Sequence, residues 1–148
     1  VTSNPLCFFA RRDHPLAMRP RIPLSEIVAQ PFIMREAGSG TRLAAEQLFA
    51  EHRVEPRACI ELGSNEAVKQ GLHAGLGISL LSRHALGSEA DRADLVELDV
   101  EGMPLVRHWY LAYPAGRELG SLDKAFIEHA TRWAYDSRPD LTEMRRSA

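Results

Sequence analysis

"PFIMREAGSGTRLAAEQLFAEHRVEPRACIELGSNEAVKQGLHAGLGISLLS" (residues 31–82) contains two kinds of apolar pattern. Three short runs are apolar almost throughout and have the length of strands: 31–35, 58–62 and 77–81. Two longer stretches between them place apolar or small residues on one face of a helix: 41–52 and 67–75. Strands and helices that alternate through short connections predict a parallel sheet covered by helices, which is an α/β fold. Because the strand runs do not alternate with polar residues, we expect them to be buried on both faces.

The flanking sequence predicts a second, incomplete lobe. Further strands are expected at 6–10, 95–100 and 108–113, and a helical turn capped by Ser25 is expected before the first central strand. A long helix is predicted over 121–135, since six of its residues share one face: Leu122, Ala125, Phe126, His129, Ala130 and Trp133. Their spacing predicts that Phe126 and Trp133 are core residues, but two strands and one helix cannot easily bury this stripe. We therefore expect open apolar surface at Phe126, Trp133 and Trp109, and self-association as a dimer or higher oligomer.

The composition is that of a globular domain with a real core. Of 148 residues, 45% are hydrophobic and 26% are charged. The chain has no apolar run of about 18 residues and no signal-peptide pattern, so we expect a cytoplasmic protein without a membrane span. The formal net charge of −2 argues against nucleic-acid binding by these residues alone. Cys7 and Cys59 lie in apolar strand-like runs without metal-type spacing, and both are predicted to be buried free thiols.

Polar residues follow each of the three central strands. Because parallel strands end at one edge of a sheet, where the next helices begin, we expect these loops to face the same side. They carry hydroxyl, amide, guanidinium and imidazole groups: Arg35, Ser39, Thr41 and Arg42 after the first strand, Ser64 and Asn65 after the second, and Ser82, Arg83 and His84 after the third. Helix N-termini favour negative charge through their unpaired amides and their dipole. The sequence therefore predicts an anion-binding edge with Arg35 or Arg42 as the counter-charge.

Simpler interpretations of these loops stay open. Ser39 and Ser64 are good helix N-caps whether or not a ligand binds beside them. The "GSGT" stretch is not a Walker loop, because no G-K-[ST] follows it, and it is not a nucleophile elbow, because G-x-S-x-G is absent. The six histidines lack ligand spacing, so no metal site is expected. No nucleophile, base and orienting group are visible together, so we expect neither an enzyme nor a cofactor.

Three segments resemble the effector-binding domain of LysR-type transcriptional regulators: "PFIMREAGSGTR", "ELGSNEAVKQGLHAGLGISLLSRHAL" and "EGMPLVRHWYLAYPAGRELGSLDKAF". "RRDHPLA" also resembles that family's crossover into its second lobe. The resemblance runs from about residue 5 to residue 135 and is strongest to the subgroup that controls carbon-dioxide-fixation (Calvin-cycle) operons. It implies a fold like that of the type II periplasmic binding proteins, with two α/β lobes and a small-molecule inducer in the cleft between them.

The resemblance also implies an organisation and a site. The implied parts are the end of lobe I with a crossover, then lobe II, then a return crossover with the rest of lobe I, then a tail: 1–14, 15–100, 101–137 and 138–148. The implied inducer contacts are Ser39, Gly40, Thr41, Ser64 and Asn65. The family's N-terminal winged helix-turn-helix has no counterpart in this sequence, so we expect a fragment that reaches DNA only through a missing N-terminal domain.

The implied partner is a small anionic metabolite. Members of the subgroup sense phosphorylated metabolites or nicotinamide and adenine nucleotides, so the expected ligand is a sugar phosphate, phosphoenolpyruvate or a nucleotide-like molecule. Ligand binding would favour a closed arrangement and shift how the subunits of a tetramer sit on DNA. The alternative is a stand-alone solute-binding module of the periplasmic-binding-protein type, and an enzyme is the third class. A Ser39→Ala variant separates a sensor, which would lose affinity, from an enzyme, which would lose rate.

Overall fold

The computed structural model describes residues 2–136, which form two compact units. Residues 5–106 make the larger unit, and the described part of the smaller unit comprises 2–4 and 107–136. The predicted lobe boundaries at residues 14 and 100 stay a prediction. The predicted tail at 138–148 lies outside the described residues.

Six strands form one mixed sheet. Their bounds are β1 Thr2–Arg11, β2 Pro31–Arg35, β3 Ala58–Leu62, β4 Ile78–Ser82, β5 Leu95–Glu97 and β6 Leu105–Trp109. The strand order is β3-β2-β4-β1-β5, and β6 also pairs with β1. β2 is parallel to both β3 and β4, whereas β1 is antiparallel to β4 and β5. The three central strands are therefore parallel, as the alternation of strands and helices predicts.

Five α-helices and one short 3₁₀ turn accompany the strands in the described chain. Their bounds are α1 Leu24–Val28, α2 Gly40–Glu51, α3 Asn65–His73, the 3₁₀ turn Arg83–Ala85, α4 Glu89–Asp94 and α5 Ser121–Asp136. The prediction that Ser25 caps α1 is wrong, because Pro23 is the N-cap and Ser25 lies inside the helix. Proline suits this place, since its fixed φ is compatible with the extended N-cap. The predicted strand at 108–113 is also shifted, since β6 covers Leu105–Trp109.

The core of the larger unit lies on both faces of the sheet. Alternate residues of β1 point to opposite sides, so Phe8 joins one apolar cluster and Phe9 joins the other. The first cluster lies between the sheet and α2. In it, Phe32 of β2 contacts Phe8 of β1 and Phe49 of α2 edge-on, at centroid distances of 6.1 and 5.3 Å. The second cluster contains α3 through Val68 and other residues. Burial on both faces is therefore confirmed for β1, β2 and β4.

β3 differs from the other central strands because it lies at the end of the sheet. Four of its five residues are exposed, and the prediction of a buried Cys59 is wrong for this reason. Cys7 is buried as predicted, and burial raises the pKa of its thiol to about 12. An apolar run of strand length thus does not say which strand ends the sheet.

The smaller unit contains α5, whose apolar residues are largely open to solvent. Leu122, Phe126 and Trp133 expose 83%, 60% and 58% of their surface, so the core role predicted for Phe126 and Trp133 is wrong. Trp109 in β6 is 44% exposed. The expectation of an open apolar surface at these residues is met. Within residues 2–136, no helix combines the length and the apolar character that a membrane crossing requires.

Candidate functional site

The site begins at the edge where β2 and β3 end. The two parallel strands are in register, and Arg35 at the end of β2 lies opposite Leu62 at the end of β3. Neighbouring strands are about 4.8 Å apart, so the loops that follow leave the sheet side by side. β4 is parallel to β2 on its other side and ends at the same edge. The expectation that the three loops face one side of the sheet is confirmed.

Each of the two loops ends in a serine that caps a helix. The loop after β2 turns at Gly38, whose φ of +89° favours glycine, and Ser39 Oγ then accepts a hydrogen bond from the Arg42 amide at 3.5 Å. After β3, Ser64 Oγ accepts from the Ala67 amide at 3.0 Å. Capping is therefore a real role of both serines. It satisfies one N–H per helix and leaves the amides of Thr41 in α2 and Asn65 in α3 without intrahelical acceptors.

Arg35 joins the two loops. Its Nη1 donates a hydrogen bond to Asn65 Oδ1, which links the end of β2 to the first residue of α3. Its Nε and Nη2 donate to the two carboxylate oxygens of Glu36 at 2.6 and 2.7 Å. The Arg35 side chain is only 16% exposed, so its guanidinium is held in place. The hydrogen bond from Arg35 also lowers the pKa of the Glu36 carboxyl below its ordinary value.

Arg42, the second predicted counter-charge, is more fully compensated. Its Nε donates to Glu46 Oε1 at 2.7 Å, and its Nη1 donates to Glu61 Oε2 at 2.6 Å and to the Arg35 carbonyl at 3.1 Å. Two carboxylates on one guanidinium leave little net positive charge for a ligand. Arg35 is therefore the better placed counter-charge, and the ligand-binding role of either arginine stays a prediction.

The loop after β4 is engaged elsewhere. Ser82 Oγ accepts from the His84 amide at 3.2 Å and so begins the 3₁₀ turn. Arg83 donates to both carboxylate oxygens of Glu97 in β5 at 2.9 and 2.7 Å. Because β1 lies between β4 and β5, this ion pair crosses over the sheet away from β2 and β3. The structure brings Arg35 and Asn65 into contact, and it ties Arg83 to β5.

The carboxylates at the site are the residues that the sequence reasoning missed. Glu36 follows Arg35 directly in the sequence, so an acidic neighbour of the predicted counter-charge was a visible signal. The sequence around Glu61 gives no such signal, since the contact of Glu61 with Arg42 depends on the pairing of β2 with β3. Among residues 2–136, no three His, Cys, Asp or Glu side chains are grouped as a metal ion would require. Helix amides and one guanidinium are the hydrogen-bond donors at this edge, and donors of these kinds suit a small anion.

A cavity of about 890 Å³ lies away from this edge. It is lined by the C-terminal half of α2, the connection after it and the side of β3, including Phe49, Val54 and Cys59. None of its lining residues belongs to the predicted site. The candidate site at the ends of β2 and β3 is therefore separate from this cavity.

Comparison with protein families and relatives gives consistent results. Residues 1–134 match the family model described as the LysR substrate binding domain. The chain is 49% identical over 126 residues to a RuBisCO operon transcriptional regulator of Acidithiobacillus ferrooxidans, covering 85% of this chain and 41% of that protein. It is 41% identical over 141 residues to the HTH-type transcriptional activator CmpR of Synechocystis, covering 95% of this chain and 46% of that protein. The chain thus spans less than half the length of these relatives.

Solved structures show the same relationship. The regulatory domain of CcmR from Synechocystis PCC6803, solved in complex with 2-PG, superposes with a TM-score of 0.86 at 46% identity. The match covers 92% of this chain and 65% of that chain. LysR regulatory domains have the fold of the type II periplasmic binding proteins, so the predicted fold class is confirmed. The predicted likeness to regulators of carbon-dioxide fixation is confirmed as well.

Proposed function

The chain belongs to the LysR substrate binding domain family, and from this premise we propose that it binds a small metabolite that carries a phosphate and a carboxylate. The proposed site is the edge where β2 and β3 end. The ligand of CcmR, 2-phosphoglycolate, has both groups, and CcmR is 46% identical to this chain. We propose 2-phosphoglycolate as the first ligand to test.

One observation carries this proposal: Arg35 at the end of β2 donates a hydrogen bond to Asn65, the first residue of α3. The first-turn amides of α2 and α3 offer donors to phosphate oxygens, and their dipoles add partial positive charge. Thr41 is half-buried in the first turn of α2 and adds a hydroxyl beside these amides. A ligand with two anionic groups suits such a site, because hydrogen bonds to charged groups are stronger than neutral ones.

We propose further that the whole protein is a transcription regulator and not an enzyme. The relatives are named as regulators of the RuBisCO operon or as transcriptional activators, and DNA contact would come from a part beyond these 148 residues. Ligand binding would favour one of two arrangements of the protein and so change its action on DNA. A cytoplasmic location and self-association as a dimer or higher oligomer belong to the same proposal.

A Thr41→Val substitution tests the site. Valine keeps the branched shape but removes the hydroxyl, so α2 should still form while the ligand loses one hydrogen bond. We expect 2-phosphoglycolate to bind the chain and the variant to bind about tenfold more weakly, the effect of one hydrogen bond to a charged group. Isothermal titration calorimetry measures both affinities, and thermal unfolding with ligand gives an independent reading.

Thr131→Val is the matched control, because Thr131 is exposed on α5 in the smaller unit. It should leave the affinity unchanged. Glycolate, which lacks the phosphate, should bind much more weakly than 2-phosphoglycolate. If the unsubstituted chain neither binds nor is stabilised by 2-phosphoglycolate, the proposed ligand is wrong. If Thr41→Val binds as tightly as the unsubstituted chain, the proposed site is wrong.

A further inference from the structure

The carboxylate of Glu36 sits on the guanidinium that the proposed ligand would use. Both of its oxygens accept hydrogen bonds from Arg35, from Nε at 2.6 Å and from Nη2 at 2.7 Å. This is the two-pronged geometry by which arginine recognises a free carboxylate or phosphate. The Nε and Nη2 donors of Arg35 are therefore already bound to a carboxylate of the same chain.

Asn65 holds the same guanidinium from a second direction. Its Oδ1 accepts from Nη1, so three of the five N–H groups of Arg35 have acceptors in the structure. Asn65 is neutral, whereas Glu36 is negatively charged, and the two contacts therefore differ in their effect on a ligand. Asn65 positions Arg35 without cancelling its charge. Glu36 both positions Arg35 and cancels that charge.

Glu36 is also the partner that can leave. Its side chain is 37% exposed, compared with 16% for Arg35, so the carboxylate can turn into water while the guanidinium stays packed. Only Ala37 separates it from Gly38, whose backbone has a positive φ. An anion that arrives from solvent would regain the contacts that Glu36 gives up, and Glu36 would be hydrated in exchange.

We infer that Glu36 is an internal competitor for Arg35, which an anionic ligand must displace, and that this displacement sets the affinity of the site. The inference rests on the proposed function, since it assigns a specificity role to a residue at the same edge. It implies that every anion that uses Arg35 loses the same free energy of displacement. An anion with a single weak contact keeps little net affinity after that loss, whereas a ligand with both a phosphate and a carboxylate adds contacts at the helix N-termini.

The effect of the ion pair on charge supports the inference. The hydrogen bond from Arg35 lowers the pKa of the Glu36 carboxyl, so the competitor stays ionised at neutral pH and is always present. A neutral amide in its place would keep the size and one hydrogen-bond acceptor but would no longer cancel the charge of Arg35. Removing the negative charge should therefore strengthen anion binding rather than weaken it.

Glu36→Gln is the test, with 2-phosphoglycolate and inorganic phosphate as the probes and titration calorimetry as the measurement. We expect both anions to bind about fivefold more tightly to the variant, the factor for a partly exposed ion pair. The relative gain should be similar for the two anions, because each of them displaces the same carboxylate. Glu51→Gln is the matched control, because it changes the net charge by the same amount. Glu51 is the last residue of α2 and lies about 16 Å along the helix axis from Gly40, the first residue.

An Arg35→Gln background separates a contact through Arg35 from a general change in charge. If Glu36 acts through Arg35, the gain from Glu36→Gln disappears when Arg35 is already replaced. The inference is overturned if the gain persists there, if Glu51→Gln gives the same gain, or if Glu36→Gln does not bind more tightly. If the unsubstituted chain binds 2-phosphoglycolate and Glu36→Gln binds it with the same affinity, this inference is overturned and the proposed function is not. An absence of binding in both proteins overturns the proposed function as well.

Discussion

Lys69 and Asp91 form a buried ion pair that ties α3 to α4. Lys69 Nζ lies 3.0 Å from Asp91 Oδ2, and the two side chains are 9% and 6% exposed. His73 Nε2 lies 3.1 Å from the other oxygen of Asp91, and Ser88 Oγ accepts from the Asp91 amide at 3.0 Å. Burial alone would raise the pKa of Asp91, but hydrogen bonds from Ser88, His73 and Lys69 together lower it well below its usual range.

Asp91→Asn should destabilise the larger unit by about 2–3 kcal/mol at pH 7, because it leaves the buried Lys69 ammonium with Glu66 as its remaining carboxylate. The pH dependence follows from the sign of the shift. The folded pKa of Asp91 lies below the unfolded value of about 3.9, so the stabilisation is complete above that value and is lost as the pH falls towards the folded pKa. Urea unfolding followed by circular dichroism, at pH 7 and at pH values below about 4, measures both effects.

Asp13→Asn is the control for this prediction. Asp13 pairs with Arg11 in an exposed position, with side-chain exposures of 66% and 41%, and its removal should cost much less than that of Asp91. On acidification the gap between the unsubstituted chain and Asp91→Asn should narrow. A gap that stays constant across the acid range would contradict the assignment of the acid-sensitive stability to Asp91.

Single residues were harder to predict than their surroundings. Cys7 and Cys59 lie in similar apolar runs, yet one is buried and the other is exposed, since only the strand order decides which strand ends the sheet. Ser39 and Ser64 were predicted as caps because capping depends on the nearest three residues. Glu61 could not be linked to Arg42 from the sequence, because that contact joins residues 19 positions apart through strand pairing.

Helices and strands of the larger unit were predictable because local pattern determines them. β2 and β3 have the predicted bounds, and β4 is shifted by one residue, since each is a mostly apolar run between turn residues. Two strands differ more: the strand predicted at 95–100 is shorter, at Leu95–Glu97, and the strand predicted at 108–113 from its aromatic content is shifted. In the structure the pairing partner β1 sets the position of β6 at Leu105–Trp109 instead.

The junction between α3 and β4 depends on Gly77. Its φ is +153°, and a Cβ atom at this position would lie 2.1 Å from the Pro31 carbonyl oxygen at the start of β2. A methyl group there requires the backbone of β2 or β4 to move, because neither contact atom is the end of a flexible side chain. We expect Gly77→Ala to lower the free energy of unfolding by about 3 kcal/mol, through the clash and the backbone strain together. Urea unfolding at neutral pH is the measurement.

Gly63→Ala provides the comparison at a second loop of the same unit. A Cβ atom at Gly63 would meet nothing within 4 Å, and its φ lies outside the positive range, so the change should cost less than about 1 kcal/mol. Equal stability losses in the two variants would show that the close approach to Pro31 does not limit position 77.

The whole molecule combines a well-packed unit with an exposed apolar helix. The buried core residues lie almost entirely within residues 5–106, on both faces of the sheet, whereas α5 in the smaller unit presents large apolar side chains to solvent. The sequence pattern placed apolar residues on one face of α5 correctly, but a pattern states only that a face is apolar. Whether another part of the same chain covers that face depends on tertiary packing, which helical periodicity does not predict.

We expect the chain to self-associate through the exposed apolar face of α5, because large aromatic side chains in water favour burial by association. Phe126 and Trp133 are two helical turns apart on this face and are 60% and 58% exposed. A Phe126→Gln, Trp133→Gln double variant keeps good helix propensity and removes most of the aromatic surface.

Analytical ultracentrifugation over a dilution series is the measurement. It should find dimers or larger species for the unsubstituted chain. For the double variant, the association equilibrium should shift at least about tenfold towards monomer, because burying an aromatic side chain contributes roughly 2 kcal/mol. Met18→Gln, at a residue that is 92% exposed in the connection between β1 and α1, should leave the association unchanged. A chain that sediments as a monomer at every concentration, or a double variant that associates as strongly as the parent, would exclude this face as the contact.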